Sequence, residues 1–276
     1  MHKIGKTCNL TVIRKFKGGC YLDFNGTEVY MAKIDTSTSL KPGDSVKVIV
    51  YNDARNSLKA TTQKPVAQLG EFGVMTIKDL QEFGLFLDWG LDKDLFVPAR
   101  EIQKDYKTGD RIIVYVMSDL KQTSIIGTPR IKEHLSKAGA ECTINQRVDL
   151  LVYGFTDIGY RVIVNSRYAG MLYKNQVFQK IQYADKLTGY ISKIRDDGLL
   201  DINLQQTGFK ASVSQAEQII LEALENNTGF LKLTDSSSPE EIRRKLNLSK
   251  KLFKKTVGIL YKMGKIQIKD NGISLK

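Results

Sequence analysis

The chain has 276 residues, 42% hydrophobic and 26% charged, and its 42 Lys and Arg outnumber 30 Asp and Glu to give a net charge of +12. That length predicts two or more domains, and the composition excludes a wholly disordered or collagen-like chain. No apolar run approaches the roughly 18 residues that span a bilayer, and Cys8, Cys20 and Cys142 form neither a disulfide framework nor a zinc pattern.

In chain order, the opening Met1–Lys6 lacks the apolar core of a signal peptide, so a soluble, cytoplasmic protein is expected. A repeated unit follows. In its first copy Gly19-Cys20-Tyr21-Leu22-Asp23-Phe24 precedes Gly43-Asp44 and the alternating Val46, Val48 and Val50. The second copy runs from Gly84-Leu85-Phe86-Leu87 to Gly109-Asp110 with Ile112, Val114 and Val116. The third runs from Gly159-Tyr160-Arg161-Val162 to Ala184-Asp185 with Leu187 and Ile191. Gly-to-Asp spacings of 25, 26 and 26 residues mark a tandem repeat. Apolar residues at period two predict strands with one buried face. About five short strands per unit suit a small closed barrel, although an open meander has the same periodicity.

Beyond residue 209 the period becomes 3.6. Val213, Ala216, Ile219, Ile220, Ala223 and Leu224 predict a helix that stops near Asn226–Gly229. Ser238 with Pro239, Glu240 and Glu241 predicts the start of a second helix, ending near Leu246. A third is expected from Ser249 to Met263, with Gly264 as its stop. Ile266 and Ile268, the turn Asp270-Asn271-Gly272, then Ile273 and Leu275 predict a closing hairpin. Three helices and a hairpin are the winged-helix order.

Charge is uneven along the chain. Residues 1–66 hold 11 basic and 5 acidic residues, +6; residues 67–142 hold 10 and 12, −2; residues 143–208 hold 8 and 6, +2; residues 209–276 hold 13 and 7, +6. Basic patches favour polyanions, because neutralising phosphates releases condensed counterions. In the first unit Arg14, Lys15 and Lys17 crowd the loop beside Tyr21, as a phosphate track or a solvated loop. In the third, Arg161, Arg167, Tyr168, Tyr173 and Lys174 interleave cations with aromatics that can stack on bases. The third helix carries Lys250, Lys251, Lys254, Lys255 and Lys262 with no acid, and like charges at i, i+4 cost helix stability unless a polyanion meets them. The middle unit has the aromatics Phe83 and Phe86 but the least suitable charge. It is expected to act as a spacer or docking unit with Phe83 and Phe86 partly buried, leaving the main surface to the third unit and the last helix.

The unit's order of elements resembles the S1-type RNA-binding OB barrel. That family brackets the glycine with two aromatics, turns a strand-three side chain, usually His, to RNA, and has an Asp after strand four. The resemblance assigns Phe83, Phe86 and Asp119 in the second unit. In the first it assigns Tyr21, with Met31 at the His position. In the third it assigns Ile158 and Arg161, Tyr173 at the His position and Asp196 as the acid. Three longer runs, Phe86 to Pro98, Tyr168 to Asn175, and Ser236 to Ile242 with Leu248 to Lys255, resemble the bacterial family called conserved virulence factor B, or YitL, over nearly the whole chain. This implies three S1-type barrels, a C-terminal winged helix and RNA binding without catalysis.

The expected fold is therefore mainly β with a C-terminal α+β domain: OB-fold (S1-like) barrels at 1–66, 67–130 and 143–207, and a winged helix at 209–276. With only His2 and His134, no Ser/His/Asp set, no metal-ligand spacing and no Gly-x-x-x-x-Gly-Lys-Ser/Thr, no enzyme, metal or cofactor is expected. The expected function is non-catalytic binding of single-stranded RNA in post-transcriptional regulation. Two other readings stay open: a winged-helix regulator on duplex DNA, and an adaptor for a ribosomal or RNA-decay protein.

Overall fold

The computed structural model describes residues 3–35, 40–53, 55, 57–119, 124–174, 177, 180–204 and 213–276. Met1, His2, Asn175 and residues 209–212, named above, lie outside the described residues. Strands β1 (Thr7–Phe16), β2 (Gly19–Phe24), β3 (Thr27–Ala32), β4 (Ser45–Asn52) and β5 (Leu58–Thr61) close into a barrel in the order β1-β2-β3-β5-β4. β6 (Phe72–Gln81), β7 (Gly84–Leu87), β8 (Leu95–Pro98), β9 (Arg111–Ser118) and β10 (Ile125–Thr128) repeat that order around a second barrel. β11 (Arg147–Phe155), β12 (Gly159–Val164), β13 (Tyr168–Tyr173), β14 (Lys186–Ile194) and β15 (Leu200–Asn203) repeat it again. Closure, rather than an open meander, removes the free edges.

The two repeat landmarks are structural. A Cβ on Gly19, Gly84 or Gly159 would fall on the carbonyl oxygen of Met31, Val97 or Leu172 in the adjacent strand, so only glycine lets the strands approach. Asp44, Asp110 and Asp185 each accept a hydrogen bond from a backbone N–H three residues back, at Lys41, Lys107 and Gln182 (2.7, 2.9 and 2.7 Å). These bonds close the turn that launches the fourth strand of each barrel. Each first strand also carries a register shift, at Val12/Arg14, Ile77/Asp79 and Val152/Gly154, which bends it enough to pair on both sides.

Each of the first two barrels docks on its successor through the outer face of its fourth strand. In β4, Val48 and Val50 fill barrel 1, while Ile49 and Tyr51 turn outward into the core of barrel 2. Trp89 meets Tyr51 edge-on at 6.5 Å and donates its Nε1–H to the Ala67 carbonyl at 2.7 Å. The Tyr51 hydroxyl donates to Asp92, and burial, then that carboxylate, pushes the phenol pKa well up. The run from Phe86 to Pro98 thus includes the joint between barrels. In β9, Ile113 turns outward to meet Ile131, Ile163 and Ala184 at the boundary with barrel 3, where the Ile113 N–H donates to the Tyr183 hydroxyl at 3.0 Å. Tyr51→Phe deletes one part-buried hydrogen bond, to a carboxylate that is itself largely exposed, and should lower stability by about 1 kcal/mol or less, read from urea unfolding.

The C-terminal unit comprises α1 (Val213–Glu225), β16 (Phe230–Leu231), α2 (Pro239–Leu246), α3 (Lys250–Lys262), β17 (Ile266–Lys269) and β18 (Gly272–Leu275), with sheet order β16-β18-β17. Ser238 and Ser249 cap α2 and α3, accepting from the N–H of Glu241 (3.1 Å) and Leu252 (3.2 Å). Ala216, Ile220, Leu224, Ile242, Phe253, Val257 and Leu260 build one core. The two-residue strand β16 was not expected from sequence. Among the described residues no helix is long and apolar enough to cross a membrane.

Candidate nucleic-acid interface

The outward residues of strands two and three form an aromatic face on barrels 1 and 2. In barrel 1, period two sends Cys20, Leu22, Val29 and Met31 inward and leaves Tyr21 and Tyr30 outside, paired across β2 and β3. Phe16, at the end of β1, stacks with both, giving three rings with centroids 5.6–6.0 Å apart. The Arg14 guanidinium lies 3.9 Å over the Tyr21 ring, the geometry of a cation–π contact. Arg14 also pairs with Glu28 at 2.8 Å, and that hydrogen bond holds the Glu28 carboxyl below its usual range. Lys15 is exposed and donates to the Leu40 carbonyl at 3.1 Å, and Lys17 is exposed nearby.

Barrel 2 carries the equivalent face in Phe83, Phe86 and Phe96, with centroids 5.3–6.0 Å apart. Phe83 is 61% exposed, which corrects the expectation of partial burial for that ring, while Phe86 is half-buried as expected. Leu85 and Leu87 take the core positions of β7, so parity forces Phe86 outward. Strand parity places Phe86 on the outer face, and the turn between β6 and β7 exposes Phe83.

Barrel 3 departs from this pattern. By register, Arg161 stands where barrels 1 and 2 have Tyr21 and Phe86, and Met171 stands opposite it. Ile158, before the glycine, is exposed. Tyr168 is 5% exposed, its ring lies among the core residues of barrel 3, and its hydroxyl donates to Glu141. It therefore offers no stacking face, a correction with a plain cause: Tyr168, Gly170 and Leu172 share one parity and point inward. Arg167 is exposed but paired with Glu141 at 3.6 Å, and Lys174 is exposed. Tyr168→Leu, which removes the ring, should leave RNA affinity unchanged once folding is verified by thermal melting. An affinity loss in binding titrations of that folded variant would return the ring to the interface.

Two assignments taken from the family pattern also move. Met31 is fully buried, and the register position equivalent to Tyr173 is Ala32. The loop-closing position held by Asp53 and Asp119, whose N–H groups donate to Ser57 and Ser124, is held in barrel 3 by Arg195 and not Asp196. The Arg195 guanidinium pairs with Asp201 at 2.7 Å and donates to the Tyr173 hydroxyl, so Tyr173 is half-buried within an ionic network. Sequence reasoning missed Phe16, Tyr30, Phe96 and Arg195; the parity of β3 would have found Tyr30.

On α3 the buried stripe is Phe253, Thr256, Val257 and Leu260. At 100° per residue Lys251, Lys255 and Lys262 lie directly opposite, while Lys250 and Lys254 flank it. Lys254 reaches Asp235 at 3.2 Å. Among the described residues no cluster of three or more His, Cys, Asp or Glu could hold a metal ion.

The S1 domain model matches residues 4–63 and 69–128, and the CvfB-like winged helix domain model matches residues 218–275. YitL of Bacillus subtilis is 25% identical over 97% of this chain and 92% of its own length. Conserved virulence factor B of Staphylococcus haemolyticus is 22% identical over 91% and 87%. A solved multidomain protein with nucleic acid binding domains from Streptococcus pneumoniae is 25% identical, over 99% of this chain and 98% of that one, with a TM-score of 0.47. S1 and winged-helix domains are nucleic-acid-binding domains.

Proposed function

The chain belongs to the conserved virulence factor B and YitL family, and from that premise we propose that it is a non-catalytic, cytoplasmic RNA-binding protein acting after transcription. Single-stranded RNA stacks its bases on the faces Phe16/Tyr21/Tyr30 and Phe83/Phe86/Phe96, while α3 holds phosphates. The observation that carries this is the outward pair of rings Tyr21/Tyr30 and Phe86/Phe96, at one register on two barrels, each joined by an exposed third ring, Phe16 or Phe83. Exposed rings side by side suit unpaired bases, which a duplex does not offer.

The lysines of α3 support the second half. Lys250 and Lys251 sit in the first turn of α3, where the macrodipole disfavours cations, and no acid in that turn offsets them. Cations and free N–H groups together suit an anion. α3 has no Asn, Gln or Arg, the side chains that read base edges, which favours backbone contact over a DNA regulator. Titration of an unstructured RNA at rising salt tests the proposal: affinity should fall steeply and vary little with base identity. Salt-independent binding would refute it.

A further inference from the structure

The ligand face of barrel 3 is a pocket rather than a platform. Residues 131–138, which join barrels 2 and 3, run across it and are fastened at several points. Ile131 is buried between the barrels, and His134 stacks on Tyr115 at 4.2 Å. The Ser136 N–H donates to the Arg167 carbonyl at 2.8 Å, and the Ala138 N–H to the Gly198 carbonyl at 3.0 Å. The close approach needs Gly198, where a Cβ would lie 2.7 Å from the Lys137 Cβ. Between this segment and the barrel is a cavity of about 330 Å³.

Its lining has two parts. Lys132, Lys137 and Arg161 bring three cations against one acid, Asp197, whose carboxylate already accepts the Leu199 N–H at 2.9 Å. Leu135, Met171, Leu199 and the Tyr153 ring give apolar walls. Burial raises the Tyr153 pKa and Arg161 opposes that shift, so the guanidinium bears on the phenol inside the pocket. The volume is at the lower end for a small-molecule site, enough for one nucleotide and too little for a stacked strand.

We propose that this pocket binds one nucleoside monophosphate, free or as the phosphorylated end of an RNA. The base lies against Met171, Leu135 and Tyr153, and the phosphate meets Arg161, Lys132 and Lys137. A terminal phosphomonoester carries nearly two charges at neutral pH, against one for an internal phosphodiester, and gains more from three cations. A guanidinium fork grips it through paired hydrogen bonds. The RNA-end form rests on the function proposed above; the free-nucleotide form does not.

The test uses the full chain and calorimetric titration with adenosine and uridine 5′-monophosphates, adenosine, inorganic phosphate, and a ten-nucleotide RNA bearing either a 5′-phosphate or a 5′-hydroxyl. A 3′-phosphorylated ten-mer completes the set. Expected are monophosphate binding roughly ten- to hundredfold tighter than adenosine or phosphate alone, and tighter binding of one phosphorylated RNA end over the hydroxyl form. Arg161→Met should abolish both preferences, and Gly198→Val, which displaces the wall, should do the same, with folding checked by thermal melting. Phe83→Ala should leave monophosphate binding intact. If only free monophosphates show the preference, the ligand is a free nucleotide. If hydroxyl RNA binds but no monophosphate or phosphorylated end is favoured, the pocket proposal fails while RNA binding stands. If monophosphates bind but no RNA does, the pocket stands and the RNA function fails. Equal binding of inorganic phosphate and nucleotide would overturn the assignment to nucleotides.

Discussion

Replacing Phe83 and Phe86 together by Ala should weaken binding to an unstructured RNA by about 2–4 kcal/mol, roughly thirtyfold to a thousandfold. Each ring can stack one base, and one stacked base contributes about 1–3 kcal/mol. The two rings touch at 6.0 Å, so their effects need not add. Phe83 is exposed and Phe86 half-buried on the outer face of barrel 2, and the core positions of β7 are Leu85 and Leu87. The melting temperature should fall only modestly, through the lost contact of Phe86 with Phe96. A folded double variant with undiminished affinity would remove barrel 2 from the interface and restore it as a spacer.

Replacing Lys250, Lys251, Lys254 and Lys255 by Ala should act differently. Each phosphate contact on a single strand contributes about 0.7 to the slope of log affinity against log salt, so four lost contacts reduce that slope by about 3. At 0.1 M salt the counterion term alone corresponds to a loss of about two to three orders of magnitude, equal for all sequences. Lys254 already faces Asp235, so its share should be the smallest. Removing cations from the N-terminal turn should also leave α3 slightly more stable. An unchanged salt slope would make these lysines a solvated face.

The fold was legible because its repeat landmarks obey local rules. Gly19, Gly84 and Gly159 mark close strand crossings, and Asp44, Asp110 and Asp185 close turns, so spacing alone exposed the tandem units. The winged helix was legible through Ser238 and Ser249, whose caps fix the starts of α2 and α3. The interface was less so. Strand parity alone places Tyr168 inward and Tyr30 on the outer, half-buried face, which charge and composition do not reveal. The run Val48-Ile49-Val50-Tyr51 is apolar at every position, a sign that both faces of β4 are buried, which is the barrel–barrel joint. The wall that residues 131–138 build over barrel 3 has no local signature. It depends on Ile131, His134 and Ser136 meeting residues of two barrels.

The most direct test of single-strand binding is a competition experiment on the intact protein. A labelled unstructured RNA is bound at moderate salt and challenged with unlabelled single-stranded RNA, duplex RNA and duplex DNA of equal length. Exposed rings require unpaired bases, so the single strand should compete best and both duplexes should displace the label only weakly, through phosphate contacts with α3. Duplex DNA competing as well as the single strand, or better, would contradict the account and assign binding to the winged helix alone.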